Sequence, residues 1–196
     1  MPVLVLLALM YKNMYKRKGK LRRGLRAGEP LAGALQRLKH QGQQFLLQRW
    51  KRRLCNAKYG RRSVEAVQLC LAEWTGRESG TLTFRTTQLF TGYGCFGEYL
   101  CRIGKEHTVQ CHHCEADHDS AQHTLQDCPA WAVERRVVVR ELGQDLSLPS
   151  VVSSILGSER KWDCFTAFCE GVMKQEEEAE ENRRQAERSG RAQRRR

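Results

Sequence analysis

Cys111, Cys114, His123 and Cys128 read C-x2-C-x8-H-x4-C, the one stretch of this chain with recognisable site chemistry. Thiolate and imidazole are the donors Zn²⁺ prefers, and four of them close a tetrahedral shell. A closed shell leaves no position for water or substrate, so the expected cofactor, zinc, would hold shape rather than catalyse. Spare donors lie alongside: His112, His113, Asp117, His118 and Asp119. His118 is the rival to His123. The spacing favours His123, because H-x4-C puts it one helical turn before Cys128 with both donors on one face. His112 and His113 lie inside the tight C-x2-C turn and should point away. The bland alternative is a chance cluster of Cys and His in a polar loop. The loop interior, Glu115 to Asp119, is acidic and has no aromatic residue. Single strands are bound through stacking and backbone contacts. The loop is therefore expected to scaffold, with nucleic acid contacted elsewhere.

Helical stripes surround this knuckle, and the expected fold class is mostly α: short helices around a zinc knuckle, with a basic N-terminal arm and a charged C-terminal tail. Leu31, Leu35, Leu38, Phe45, Leu46, Trp50 and Leu54 keep helical spacing over 31–57, with Gly42 a candidate break. Ser63 is the expected N-cap of a helix marked by Val64, Val67, Leu71 and Trp74. Residues 76–80 read as a loop, and Leu82 to Phe84 as a short strand or extended entry. Thr91-Gly92-Tyr93-Gly94 is a glycine turn without the strand-before, helix-after context of a phosphate loop. Phe96, Tyr99, Leu100 and Ile103 mark a short helix. Pro129 opens a stripe of Trp131, Arg135, Val138 and Leu142, closed by Gly143. A further helix is expected over 149–156. Ser158 should cap the last, whose inner face is Trp162, Phe165, Cys169 and Val172. Beyond Lys174 the stripe vanishes, and a frayed helix or disorder is expected. The expected organisation is 1–29 as connector, 30–175 as a helical module with the knuckle at 111–128, and 176–196 as a charged tail. Structural zinc supplies on the order of 10 kcal/mol of folding free energy.

The net charge of +12 is unevenly spread. Residues 1–62 hold 17 Lys/Arg and a single acid, Glu29, whereas 63–158 hold 7 basic and 12 acidic residues and 159–196 hold 10 and 9. One basic arm therefore carries the excess, and such an arm is drawn to polyanions. The candidate phosphate contacts are Lys16, Arg17, Lys18, Lys20, Arg22, Arg23, Arg49, Lys51, Arg52, Arg53, Arg61 and Arg62. Phe96, Tyr99 and Trp131 are candidates for base stacking, though their helical spacing favours core packing. Nine cysteines, the tightest cluster at metal spacing, argue for a reducing compartment, nuclear or cytoplasmic, over a disulfide framework. Val3 to Met10 is apolar but too short to span a bilayer.

The stretch Thr87-Gln88-Leu89-Phe90-Thr91-Gly92-Tyr93-Gly94-Cys95-Phe96-Gly97-Glu98-Tyr99-Leu100, the following Arg102-Ile103-Gly104, the knuckle, and Cys128-Pro129-Ala130-Trp131 together resemble a known pattern. They are similar to the C-terminal region of non-LTR (LINE-type) retrotransposon reverse-transcriptase polyproteins, in the clade that inserts into ribosomal RNA genes. The likeness covers roughly residues 30–175, and residues 1–15 resemble the connector after the polymerase core. It implies RNA-directed DNA synthesis in a parent polyprotein, with this region holding template RNA or target DNA. The departures bear on activity. The polymerase needs paired aspartates for two metal ions, and this chain has no Asp-Asp pair. The endonuclease acid and histidine set is missing as well. Arg62-Ser63-Val64 runs into a helix-like stretch where the family has Trp-Thr and Ile-Pro, and Tyr93 stands where a histidine is usual.

The expected function is thus a non-catalytic, nucleic-acid-binding C-terminal module, read as a piece separated from its polymerase. Its partners would be RNA or single-stranded DNA, bound without sequence preference, and the polymerase core. Two readings compete: a zinc-stapled structural remnant with no further ligand, and a basic protein weakly anchored in a membrane through Val3 to Met10.

Overall fold

A chain with so few β-branched alternations and so many 3.6-residue stripes should fold as helices, and it does. The computed structural model describes residues 3–24 and 31–193, and no strand occurs among them. The chain divides into two compact units, Met1–Tyr59 and Gly60–Arg196.

The first unit is a helical hairpin of α1 (Val3–Gly24) and α2 (Leu31–Cys55). Among the described residues, Met10, Ala34 and Leu38 are its buried apolar side chains. Gly42, a candidate break, sits inside α2 without interrupting it. A Cβ there would meet the Met14 sulfur at 2.9 Å, so its missing side chain leaves the space that Met14 fills. Met10 and Met14 lie beside Leu38 and Gly42, while Tyr15 and Lys18 lie beside Ala32 and Leu35. The helices therefore run antiparallel.

The second unit begins with α3 (Arg61–Val67) and α4 (Leu71–Gly76), where one helix was expected. The division has a geometric reason. Ala66 and Leu71 are both buried, yet five residues along one α-helix turn side chains about 140° apart. The turn at 68–70 lets both face inward. Ser63 is not the cap: Gly60, at φ 65°, holds the N-cap position, and the Ser63 hydroxyl donates to the Phe90 carbonyl at 3.0 Å.

Residues 82–84 form no strand. Thr83 instead caps α5 (Phe84–Thr91), its side chain accepting from the Thr86 N–H, and Gly92 ends that helix in the left-handed region. Then follow α6 (Gly97–Arg102), a π turn (His123–Asp127), a 3₁₀ turn (Pro129–Trp131), α7 (Ala132–Leu142), α8 (Leu148–Leu156) and α9 (Glu159–Gln193). Leu89, Phe96, Leu125, Val138, Val151, Val152, Phe165 and Val172 are sealed in one core.

The charged segment from Glu176 onward continues α9 as far as Gln193. Its first residue is in the core, because α9 passes directly over the knuckle and finds hydrogen-bond donors there. No helix among the described residues is long and apolar enough to cross a membrane.

Candidate metal centre

The four knuckle residues converge. One ligand atom from each of Cys111, Cys114, His123 and Cys128 lies within 4.8 Å of all the others. Cys111 Sγ and Cys128 Sγ are 3.9 Å apart, and Cys114 Sγ is 3.2 Å from His123 Nε2. Sulfurs bound at about 2.3 Å around one tetrahedral cation sit about 3.8 Å from each other. The donor set therefore fits a single metal ion in both chemistry and spacing.

The two halves of the site are built differently. In the first, the chain folds back in a tight turn: the Glu115 N–H donates to the Cys111 carbonyl and the Cys111 N–H to the Ala116 carbonyl, each at 2.9 Å. Closing this turn forces Glu115 to φ 61°, the one positive value for a non-glycine among the described residues. In the second, His123 and Cys128 are five residues apart. On an α-helix that spacing would aim them about 140° apart. The turn widens instead to a π turn, with the Cys128 N–H donating to the His123 carbonyl at 2.8 Å, and both donors reach one point. Single π turns of this kind often mark functional sites. Pro129 keeps the preceding Cys128 out of the helical region, at φ −57° and ψ 118°.

His112 and His113 point away from the cluster, as expected of residues inside the turn. His112 faces Glu106 at 3.5 Å, and His113 pairs with Glu176 at 3.0 Å. His118 is exposed and lies outside the group.

A second layer of side chains fixes the ligand segments. Arg135, buried on α7, donates to the carbonyls of Leu125 (2.8 Å), Thr124 (3.0 Å) and Cys128 (2.7 Å). It gathers carbonyls that the π turn leaves free and brings a cation near the Cys128 thiol. Burial lowers its pKa from the ordinary arginine value. Asp119 accepts from the Gly97 N–H at 2.8 Å, and its own carbonyl accepts from Glu98 N–H at 2.8 Å. It thereby ties the start of α6 to the knuckle. Burial pushes its carboxyl above the usual range. A Cβ at Gly97 would meet the Val109 and Gln110 carbonyl oxygens at 3.0 Å, so glycine lets α6 lie against the strand-like entry to Cys111.

Glu176 completes the layer from α9 at 2% exposure. The Trp131 indole N–H (3.1 Å) and Thr124 hydroxyl (3.3 Å) donate to one oxygen and His113 meets the other. The hydrogen bond to Glu176 raises the His113 pKa. Burial pushes the Cys111 thiol well up and raises that of Cys128. A cation is the partner that would let such thiols ionise.

Arg135, Asp119 and Glu176 were not assigned these roles from the sequence, though signals existed. Arg135 is a charge on an otherwise apolar stripe. Glu176 follows Val172 by four residues and so continues the inner face of α9.

The basic candidates fall in three groups. Lys16, Arg17 and Lys20 are exposed on α1 and line a groove of about 420 Å³ with Met10, Met14, Leu38 and Phe45. Lys18 is half-buried on the same helix. Arg49, Lys51, Arg52 and Arg53 are exposed on α2, with Arg49 over the Phe45 ring at 5.8 Å. Arg22 and Arg23 belong to α1, but their side chains lie outside the described residues. Arg61 and Arg62 belong to the second unit. Arg61 pairs with Glu65 at 3.0 Å. Arg62 turns inward, donating to the Leu89 carbonyl and to Gln122 Oε1, each at 3.1 Å, and burial lowers its pKa. Arg62 is thereby engaged in holding α3 to the core. Of the stacking candidates, Phe96 and Trp131 are buried, and Tyr99 is half-buried.

Fold and site together define a helical protein with a Cys3His group at metal-binding distance in one unit and a basic helical hairpin in the other. No protein-family model, curated protein or solved structure matches the chain.

Proposed function

We propose that this chain is a non-catalytic nucleic-acid-binding module. Zinc on Cys111, Cys114, His123 and Cys128 would fix the second unit, and the hairpin of the first unit would engage phosphates. One observation carries the reading. α1 bears seven Lys/Arg and α2 six, and neither helix has a single acidic residue. The single carboxylate of the segment, Glu29, lies between the two helices in sequence, so thirteen cations face one acid and most of the repulsion is left unrelieved. A polyanion relieves it and gains entropy from the counterions it releases.

Zinc is favoured by the donors. Three thiolates and an imidazole in tetrahedral array suit it, whereas Mg²⁺ and Ca²⁺ require oxygen ligands. The resemblance to LINE-type reverse transcriptases supports RNA or single-stranded DNA as the polyanion. In that reading, a separate polymerase core supplies the chemistry.

Fluorescence anisotropy with labelled single-stranded RNA and DNA across a salt series tests the proposal. Neutralising six phosphates gives a log–log slope of about −4 on single strands. A weak signal indifferent to salt would refute it and leave a purely structural role. Elemental analysis should find one zinc per chain, lost in Cys114→Ser.

A further inference from the structure

The turn between α5 and α6 and the first turn of α6 each carry one aromatic ring that the core does not fully enclose. Tyr93 and Tyr99 stack with centroids 5.1 Å apart and planes inclined by 26°. The Arg102 guanidinium carbon lies 5.1 Å from each centroid. Tyr93 is 48% exposed, and Arg102 is exposed as well. Among the described residues Arg102 forms no ion pair or hydrogen bond, so its N–H edges face solvent while it rests against the rings.

The mount is rigid. Phe96 and Leu100, on either side of Tyr99, are buried. The Gly97 N–H is held by buried Asp119, and Gly92 fixes the turn in the left-handed region at φ 73°. A ring set held this way loses little freedom when a ligand arrives.

What it would receive follows from its chemistry. A cationic ligand is disfavoured, because Arg102 already occupies the place beside both rings. A flat group fits the open part of Tyr93, since every nucleobase has a π-face and aromatic stacking is tolerant of sequence. The free guanidinium edge suits a phosphate, which arginine binds through paired N–H donors. A base carrying its own phosphate supplies both partners, and only an unpaired base can leave its stack to reach a protein ring.

We infer that Tyr93, Tyr99 and Arg102 form a stacking site for an unpaired nucleobase, with its phosphate on Arg102. This deepens the nucleic-acid reading above and rests on it, by making single strands the favoured partner and giving the metal-bearing unit a direct contact.

The test compares a short oligo-dT with an abasic deoxyribose-phosphate strand of equal length, using anisotropy on the full, zinc-loaded chain at fixed salt. Tyr93→Ala should weaken oligo-dT binding by about tenfold and leave abasic binding unchanged, and Tyr93→Phe should bind like the parent. Arg102→Ala should weaken oligo-dT binding too. Because Tyr93 is half in solvent, an unchanged circular dichroism spectrum is expected for each variant. If Tyr93→Ala binds oligo-dT as tightly as the parent, the stacking site is overturned while abasic binding still upholds the hairpin. If oligo-dT binds and depends on Tyr93 but the abasic strand does not bind, the hairpin reading fails and the stacking site stands. Binding of neither strand overturns both.

Discussion

Glu176 shows how much one side chain can hold. It sits on α9 yet satisfies Trp131, Thr124 and His113, three groups of the metal-bearing segment. Removing one partner of a buried charged network costs about 3–5 kcal/mol, because the remaining donors stay desolvated and unpaired. Glu176→Ala should therefore lower the unfolding free energy of the zinc-loaded protein by about that amount in urea titrations. Glu176→Gln, which keeps acceptor and shape, should fall between the two. A loss below about 1 kcal/mol for the alanine variant would mean that the network does not tie α9 to the knuckle. Glu115 makes the opposite case. Its φ of 61° is a conformation that suits glycine better than any residue with a Cβ. Glu115→Gly should stabilise the knuckle by up to about 1 kcal/mol, read as a higher melting temperature. At this scale the ligands were legible, since their type and spacing define the site without further context. Glu176 was not, because a run of acids ordinarily marks a solvated face and only its register with Val172 says otherwise.

The elements differ in how openly they were written. The stripes of α7 and the first half of α9 read directly, since burial follows the 3.6-residue period; α2 and α8 were legible as helices, though Phe45 of the α2 stripe is exposed. The π turn did not, because H-x4-C is silent about how many residues a turn will hold. The division of α3 from α4 follows from a demand of the core, to bury both Ala66 and Leu71, that no local pattern reports. The packing of α5 on α9 adds an electrostatic clamp. Arg85 bridges Glu170 at 2.9 Å and Glu177 at 2.8 Å. The Thr83 hydroxyl, and after it Arg85, hold the Glu170 carboxyl below its usual range. A carboxyl with a depressed folded pKa stabilises the fold above its unfolded pKa, and the contribution is lost as pH falls through the folded value. The stability advantage of the parent over Glu170→Gln should thus be present at neutral pH and vanish under acid. Since Glu170 is 37% exposed, screening limits the advantage to at most about 1 kcal/mol. Urea midpoints measured down the acid range check this, and an advantage that grew with acidity would contradict it.

At the scale of the molecule, the basic helices and the Cys/His cluster are divided between the two units. The hairpin within 1–59 has the basic helices and none of the four ligands. The unit from Gly60 has all four, together with Trp74, Trp131 and Trp162. The basic bias of the first unit was plain from composition, but its hairpin brings Met14 against Gly42, a contact between residues 28 positions apart that no sequence window contains. This separation gives chelation a divided outcome. With zinc in the site as proposed, stripping it should remove on the order of 10 kcal/mol from the second unit, comparable to the whole stability of a domain. Its helices should melt, with loss of far-ultraviolet ellipticity and a red shift in tryptophan emission as buried Trp131 and Trp162 meet water. Salt-dependent binding to an abasic strand should persist, because the Lys/Arg of α1 and α2 need no metal. The extra affinity for oligo-dT should disappear, because Tyr93 and Arg102 lose the mount that Asp119 and Gly97 tie to the knuckle. Unchanged tryptophan emission after chelation would show that the four ligands do not hold this fold. Loss of abasic binding in step with the emission shift would show that the hairpin depends on the metal-bearing unit.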